Sequence, residues 1–238
     1  MTFSGDGQYL LSGGVWGVQV WRVKDDKQMA TLEAEDVESL AVSKDRRWIV
    51  AVGTGLADVF VWDTKTYEKV ILRRDPGYNR TTRAVDFSPD STRLVSASDN
   101  KPTSIWDPAT RNKVQTLDHK GKVTLAAAKY SPQGDRIATA TRESVRVWDT
   151  NDGRLLVHIP VTATINTGLF WSNNHLFVAS DNKIKEFKAS TGSVILEWSV
   201  ANTNSTSSID LPQHQEFVAC STKRTVNILK TYVQLHAH

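Results

Sequence analysis

SVRVWDTNDGRLL, Ser144 to Leu156, alternates apolar and polar residues, ends in Trp148 and Asp149, and turns at once through Asn-Asp-Gly. Alternation at Val145 and Val147 puts every second side chain on one face, as a half-buried strand requires. Asp152-Gly153 then predicts a tight turn into a second strand at Arg154 to Val157, which makes a hairpin. A lone hairpin is marginal in water, so Trp148 must pack on something else in the same chain.

The partner emerges when similar strand ends are aligned: GVQVWRV, DVFVWDT, PTSIWDP, SVRVWDT, KIKEFKA and TVNILKT. Their anchors, Trp21, Trp62, Trp106, Trp148, Phe187 and Leu229, are spaced by 41, 44, 42, 39 and 42 residues. A second marker keeps step upstream: FSGDG, VSKDR, FSPDS, YSPQG, WSNNH and LPQHQ begin at Phe3, Val42, Phe87, Tyr130, Trp171 and Leu211. Between the markers lie an apolar strand, a Ser-Pro-Asp-like turn, a strand such as RLVSAS or RIATAT, the aromatic-ended strand, and a last strand such as KVQTLDH or RLLVHIP. Four short strands in about 40 residues fit a β-propeller blade, whose single sheet cannot cover both faces until neighbours pack on it. Trp148 is then a plug between neighbouring sheets; Phe187 serves as one too, and Leu229 makes a weaker one.

These units resemble WD40 repeats. Trp62-Asp63, Trp106-Asp107 and Trp148-Asp149 match the dipeptide that names the family, and FSPDS and YSPQG match its turn between the first two strands. The texture is similar to that of WD40 arrays in filamentous fungi, some of which are joined to NTPase modules. The resemblance implies an all-β fold, a β-propeller of six four-stranded blades that is either a closed six-bladed ring or an incomplete seven-bladed arc. Its units are expected at roughly 1–36, 37–79, 80–121, 122–162, 163–202 and 203–238, together one domain. The first strand is expected to open at Met1-Thr2-Phe3 without a preceding segment, and TYVQLHAH is expected to supply the last. An arc would expose apolar faces at its ends and self-associate or recruit a partner. The family's hydrogen-bonded group of Gly-His, Ser or Thr, Asp and Trp has no intact copy. The third unit offers Gly77-Tyr78, Ser96, Asp99 or Asn100, and Trp106, and the fourth offers His119, Thr139, Arg142 beside Glu143, and Trp148. Apolar packing is therefore expected to carry these blades.

Composition narrows the function classes. The 238 residues carry 29 basic and 26 acidic side chains scattered along the chain, net +3, without the basic block that nucleic-acid binding usually needs. No apolar run is long enough to span a bilayer and no signal peptide opens the chain, so an intracellular location, cytoplasmic or nuclear, is expected. The single cysteine, Cys220 in EFVACST, reads as a small buried strand residue. Histidines 119, 158, 175, 214, 236 and 238 fall at spacings that form no metal site, and the glycines of SGGVWG and VGTG precede no helix, so no phosphate cradle forms. Asp63, Asp107 and Asp149 recur once per unit, which reads as a structural duty and not an acid–base pair. No catalytic residue, cofactor or metal is expected, and the chain reads as a non-enzyme.

Binding residues are then sought in turns. Trp16 stands apart from the repeated plug position, Tyr78 and Arg80 enter the third unit, and Arg142, Lys183, Lys223 and Arg224 sit in turns before third strands. In WD40 proteins these two loop types line one rim of the channel, so the resemblance implies a peptide-binding surface there. The expected function is a protein-interaction scaffold for partner proteins or peptides. Two alternatives are a nucleic-acid or chromatin reader using the basic turns, or a fragment of a larger, for example NTPase-linked, protein.

Overall fold

A computed structural model describes residues 1–53, 59–72, 81–99, 102–121, 123–161, 165–180 and 183–199, together with three further strands at 208–210, 217–221 and 226–230. Among the described residues the chain is all β and forms six antiparallel sheets, five of four strands and one of three. The first sheet contains β1 (Thr2–Phe3), β2 (Tyr9–Gly14), β3 (Gly17–Arg22) and β4 (Lys27–Leu32). The second holds β5 (Val37–Val42), β6 (Trp48–Gly53), β7 (Val59–Asp63) and β8 (Lys69–Leu72). The third holds β9 (Thr82–Phe87), β10 (Leu94–Ser98), β11 (Thr103–Trp106) and β12 (Lys113–Leu117). The fourth runs through β13 (Leu125–Tyr130), β14 (Arg136–Thr141), β15 (Ser144–Asp149) and β16 (Leu155–Pro160). The fifth is β17 (Ile165–Ser172), β18 (His175–Ser180), β19 (Lys183–Lys188) and β20 (Val194–Ser199). The sixth shows β21 (Ser208–Asp210), β22 (Phe217–Ser221) and β23 (Val226–Lys230). Each sheet is a meander in which sequence neighbours pair. Cys220 lies on β22 and Leu229 on β23, with their side chains outside the description, as are Tyr78, Arg80, His214, Lys223, Arg224, His236, His238 and the TYVQLHAH segment after Lys230.

Burial follows position in the sheet. The second strands WIVAVG, LVSAS and IATAT are covered on both faces, their Ser and Thr included, whereas the last strands β12 and β16 are largely exposed. Contacts between sheets run chiefly through their first strands, in the order β5, β9, β13, β17, β21. Polar bonds join some of these: Tyr130 N–H donates to Asp86 Oδ2 at 2.9 Å, and Trp171 Nε1–H donates to the Lys129 carbonyl at 3.2 Å.

The repeated aromatic completes a cross-strand row of three. In the third sheet Phe87, Leu94 and Trp106 stand opposite one another, and in the fourth Tyr130, Ile137 and Trp148 do so. Each row packs back onto the preceding sheet. Trp62 shares a core with Leu11, Val18 and Val20 of the first sheet, Trp106 with Val50 and Val61 of the second, and Trp148 with Val95 and Ile105 of the third. Phe187 sits likewise against Val145 and Val147. The first sheet differs. Among the described residues no other sheet packs beneath its row of Phe3, Leu10 and Trp21, so Phe3 is 59% exposed and Trp21 is half-buried instead of a buried plug.

The expected Asp-Gly hairpin turn is longer than its sequence implied. β15 ends at Asp149 and β16 starts at Leu155, one residue later than read, with Gly153 N–H donating to the Asp149 carbonyl at 3.0 Å. Gly153 adopts φ +71°, and a Cβ there would approach Gln115 Nε2 to 2.7 Å. The first turns share a second device. The Ser43, Ser88 and Ser131 hydroxyls donate to Asp45, Asp90 and Asp135 at 2.5, 2.6 and 2.8 Å. The same hydroxyls accept the N–H of Trp48, Arg93 and Arg136. Hydrogen bonding from Ser88 holds the Asp90 carboxyl below the usual carboxylate range.

Candidate functional site

Each sheet has two ends, one carrying the Ser-centred turns and the other carrying the turns between second and third strands. Asp63, Asp107 and Asp149 lie at the Ser-turn end. Asp107 Oδ1 accepts the N–H of Ala109 and Thr110 at 2.9 and 3.1 Å, and Asp149 Oδ1 accepts that of Asn151 at 2.8 Å. Asp63 Oδ1 accepts the Lys65 N–H at 2.8 Å. Their oxygens are thus occupied in closing the turn before each last strand.

Trp16 lies at the opposite end, in the two-residue turn between Gly14 and Gly17, which pair across the hairpin. Gly17 is needed there: it adopts φ +96°, and a Cβ would meet the Leu32 carbonyl oxygen at 2.3 Å. The clamped turn leaves Val15 65% and Trp16 82% exposed. Beside Trp16 opens a cleft of about 450 Å³ walled by Glu33, Glu35, Phe60, Lys69 and Ile71. Lys69 Nζ lies over the Phe60 ring at 4.5 Å, a cation–π contact that keeps the ammonium at the cleft wall.

Arg142 is exposed in the corresponding turn of the fourth sheet. Lys183 is the first residue of β19, not part of a turn, and its ammonium pairs with Glu197 of β20, which Lys185 also reaches at 3.1 Å. Trp16, Arg142 and Lys183 therefore occupy the same end of the first, fourth and fifth sheets, and no bond joins them among the described residues.

The same end holds two polar clusters, of which the sequence reading noticed only Asp99 and His119. Arg83 of β9 reaches Asp99 Oδ2 at 2.9 Å and, across the sheet boundary, Glu38 Oε2 at 3.5 Å, while burial raises the Glu38 carboxyl. His119, 3% exposed, lies at the junction of the third and fourth sheets. Its Nε2 is 3.0 Å from Thr103 Oγ1 and its Nδ1 3.1 Å from Arg146 Nη1, which also donates to the His119 carbonyl at 2.6 Å. A guanidinium only donates, so Nδ1 accepts and Nε2–H donates to Thr103. Burial, with the Arg146 charge adding, holds the imidazole down to about 4. Its ring meets Trp148 edge-on at 4.9 Å. Part of the family's polar group therefore persists: Trp106 Nε1–H donates to Ser96 Oγ at 2.9 Å and Trp148 Nε1–H to Thr139 Oγ1 at 2.8 Å. Arg83 and Arg146 were legible only as charges inside otherwise apolar strands. Elsewhere, His175 Nδ1 meets Glu186 Oε1 at 2.5 Å and His158 is exposed.

The profile of "WD domain, G-beta repeat" matches residues 71–107 and 111–149. Residues 71–107 and 111–149 thus carry WD40 repeats. The second match runs from the last strand of one sheet, β12, through the third strand of the next, β15, so the repeat in sequence straddles two sheets. WD repeat-containing protein 1 of Bos taurus is 26% identical over 197 residues, covering 76% of this chain and 32% of its own length. Meiotic recombination protein rec14 of Schizosaccharomyces pombe is 27% identical over 61% of this chain and 52% of its own. Target of rapamycin complex subunit wat1, from the same yeast, is 21% identical over 93% and 74%. The chain thus spans about a third of WD repeat-containing protein 1 and about half of rec14.

Proposed function

We propose that this WD40 chain is a non-enzymatic docking platform that binds a partner polypeptide through the Trp16 cleft. The observation that carries the reading is an indole 82% exposed on a turn whose backbone is fixed by Gly17. Exposed aromatics on rigid turns are common anchors at protein interfaces, because little conformational entropy is lost when a partner covers them. Apolar Val15 and Ile71 beside acidic Glu33 and Glu35 favour a partner segment that is apolar at its centre and basic at its edge. A relative named as a complex subunit, the fission yeast wat1, supports a role in assembly.

Affinity capture with quantitative mass spectrometry tests this, comparing wild type with Trp16→Ala and Arg142→Ala. Proteins anchored in the cleft are expected to fall about tenfold or more with Trp16→Ala, the loss typical of an interface anchor. Recovery of the same proteins undiminished by Trp16→Ala overturns the assignment. Trp16 makes no core contact, so the variant is expected to keep its thermal midpoint.

A further inference from the structure

At the Ser-turn end, the third and fourth sheets enclose a groove of about 750 Å³. Gly134 and Pro89 both line it, and a Cβ added at Gly134 would come within 3.3 Å of the Pro89 ring. Its lining includes Tyr130, 7% exposed, whose hydroxyl is buried and has no hydrogen-bond partner among the described residues. Packing does not explain that hydroxyl. The equivalent place in the cross-strand row is Phe87 in the third sheet and Val42 in the second, both apolar, and Trp171 in the fifth, whose N–H donates to a carbonyl. A buried hydroxyl without a partner is penalised, so its retention where a phenylalanine fits points to a ligand group that completes it.

The surroundings define that group. Burial, with Asp86 adding, raises the phenol well above its usual range, so it is an O–H donor and needs an acceptor. Local charges are matched: Asp86 pairs with Lys129 at 3.0 Å, and the Asp90 oxygens accept from Ser88 and Thr92. Arg93 reaches Asp107 at 3.4 Å. An ionised ligand would find no uncompensated counter-charge there. Gln115, Gln133 and Asn151 add side-chain amides, which donate and accept as a peptide group does.

We propose that this groove binds an amide-bearing peptide segment of a partner polypeptide, whose entry displaces the side chains that cover the Tyr130 hydroxyl so that a carbonyl oxygen accepts its O–H, with the Gln115, Gln133 and Asn151 amides meeting the flanking peptide groups. The site shares no residue with the Trp16 cleft and lies at the other end of the sheets, so it stands without that reading.

The probe is the neutral peptide acetyl-Gly-Gln-Gly-amide, titrated into protein carrying ¹³C-labelled tyrosine and followed by NMR. A saturable shift of the Tyr130 ring signal is expected, with affinity about tenfold weaker in Tyr130→Phe, the fold-change expected for one buried hydrogen bond. Phe87 shows that a phenylalanine fits this position, so Tyr130→Phe is expected to fold with a thermal midpoint equal to or above wild type. Gln115→Ala is expected to weaken binding as well, and Trp16→Ala to bind as wild type does, so either reading fails alone. Absence of saturation overturns the proposal, as does equal affinity in Tyr130→Phe. So does a crystal structure of the soaked protein in which the Tyr130 oxygen is bonded to a buried water only.

Discussion

Trp148 and Trp21 hold the same place in their repeats, yet Trp148 is 3% exposed between two sheets and Trp21 is half-buried on the first. Truncating a buried indole removes both its transfer energy and its packing, so Trp148→Ala is expected to destabilise by about 3–5 kcal/mol and Trp21→Ala by less than half of that. Urea unfolding of both variants checks the ordering; equal losses would mean that Trp21 is covered as well. His119 gives a pH signature. Its folded value is held at about 4, below the ordinary 6.5, so the unfolded chain binds the proton more readily. Its contribution is complete above pH 6.5 and is lost as pH falls toward about 4, at up to about 1.4 kcal/mol per unit. His119→Gln is expected to flatten the stability–pH profile across that window. An unchanged profile would show that the ring is already hydrated or charged in the fold.

Turns carry the next scale. Five residues after the aromatic position of each of the first five sheets the backbone enters the left-handed region: Asp26, Tyr67, Arg111, Gly153 and Gly192 have φ of 53°, 56°, 67°, 71° and 74°. Side chains with a Cβ are strained there, and glycine is not. Arg111→Gly is therefore expected to be neutral or stabilising by up to about 1 kcal/mol, and Gly153→Ala to cost about 1–2 kcal/mol because its Cβ also meets Gln115. Thermal unfolding of the pair tests it, and the prediction fails if both substitutions shift stability in the same direction. This device was half legible. Asn-Asp-Gly announces a turn in the fourth repeat, but Lys-Thr-Tyr and Ala-Thr-Arg at the same places carry no such signal, because tertiary packing and not propensity imposes their conformation. Similarly, alternation located β15 and its Trp148. The partner of His119 could not be read, since Thr103 belongs to the preceding sheet.

At the scale of the whole molecule, sheets communicate through the plugs. Trp148 shares a core with Val95 of the third sheet, whereas the adjacent Val147 faces the core of the fifth. A double-mutant cycle of Trp148→Phe with Val95→Ala is expected to show coupling of about 0.5 kcal/mol or more, and one with Val178→Ala additivity within about 0.3–0.5 kcal/mol. Reversal of the two would mean that the aromatics point forward along the chain. The sequence by itself determined the strands, their period of about 40 residues and the apolar plug of each repeat, because those depend on alternation and turn chemistry within a few residues. Tertiary structure decided which neighbour each buried plug meets, that Trp21 of the first row stays only half-buried, and that Tyr130 lines a groove with its hydroxyl unpaired among the described residues. Those outcomes depend on what residues some 40 positions away place against each face, and solvent exclusion between sheets is a property of the stack that no single repeat contains.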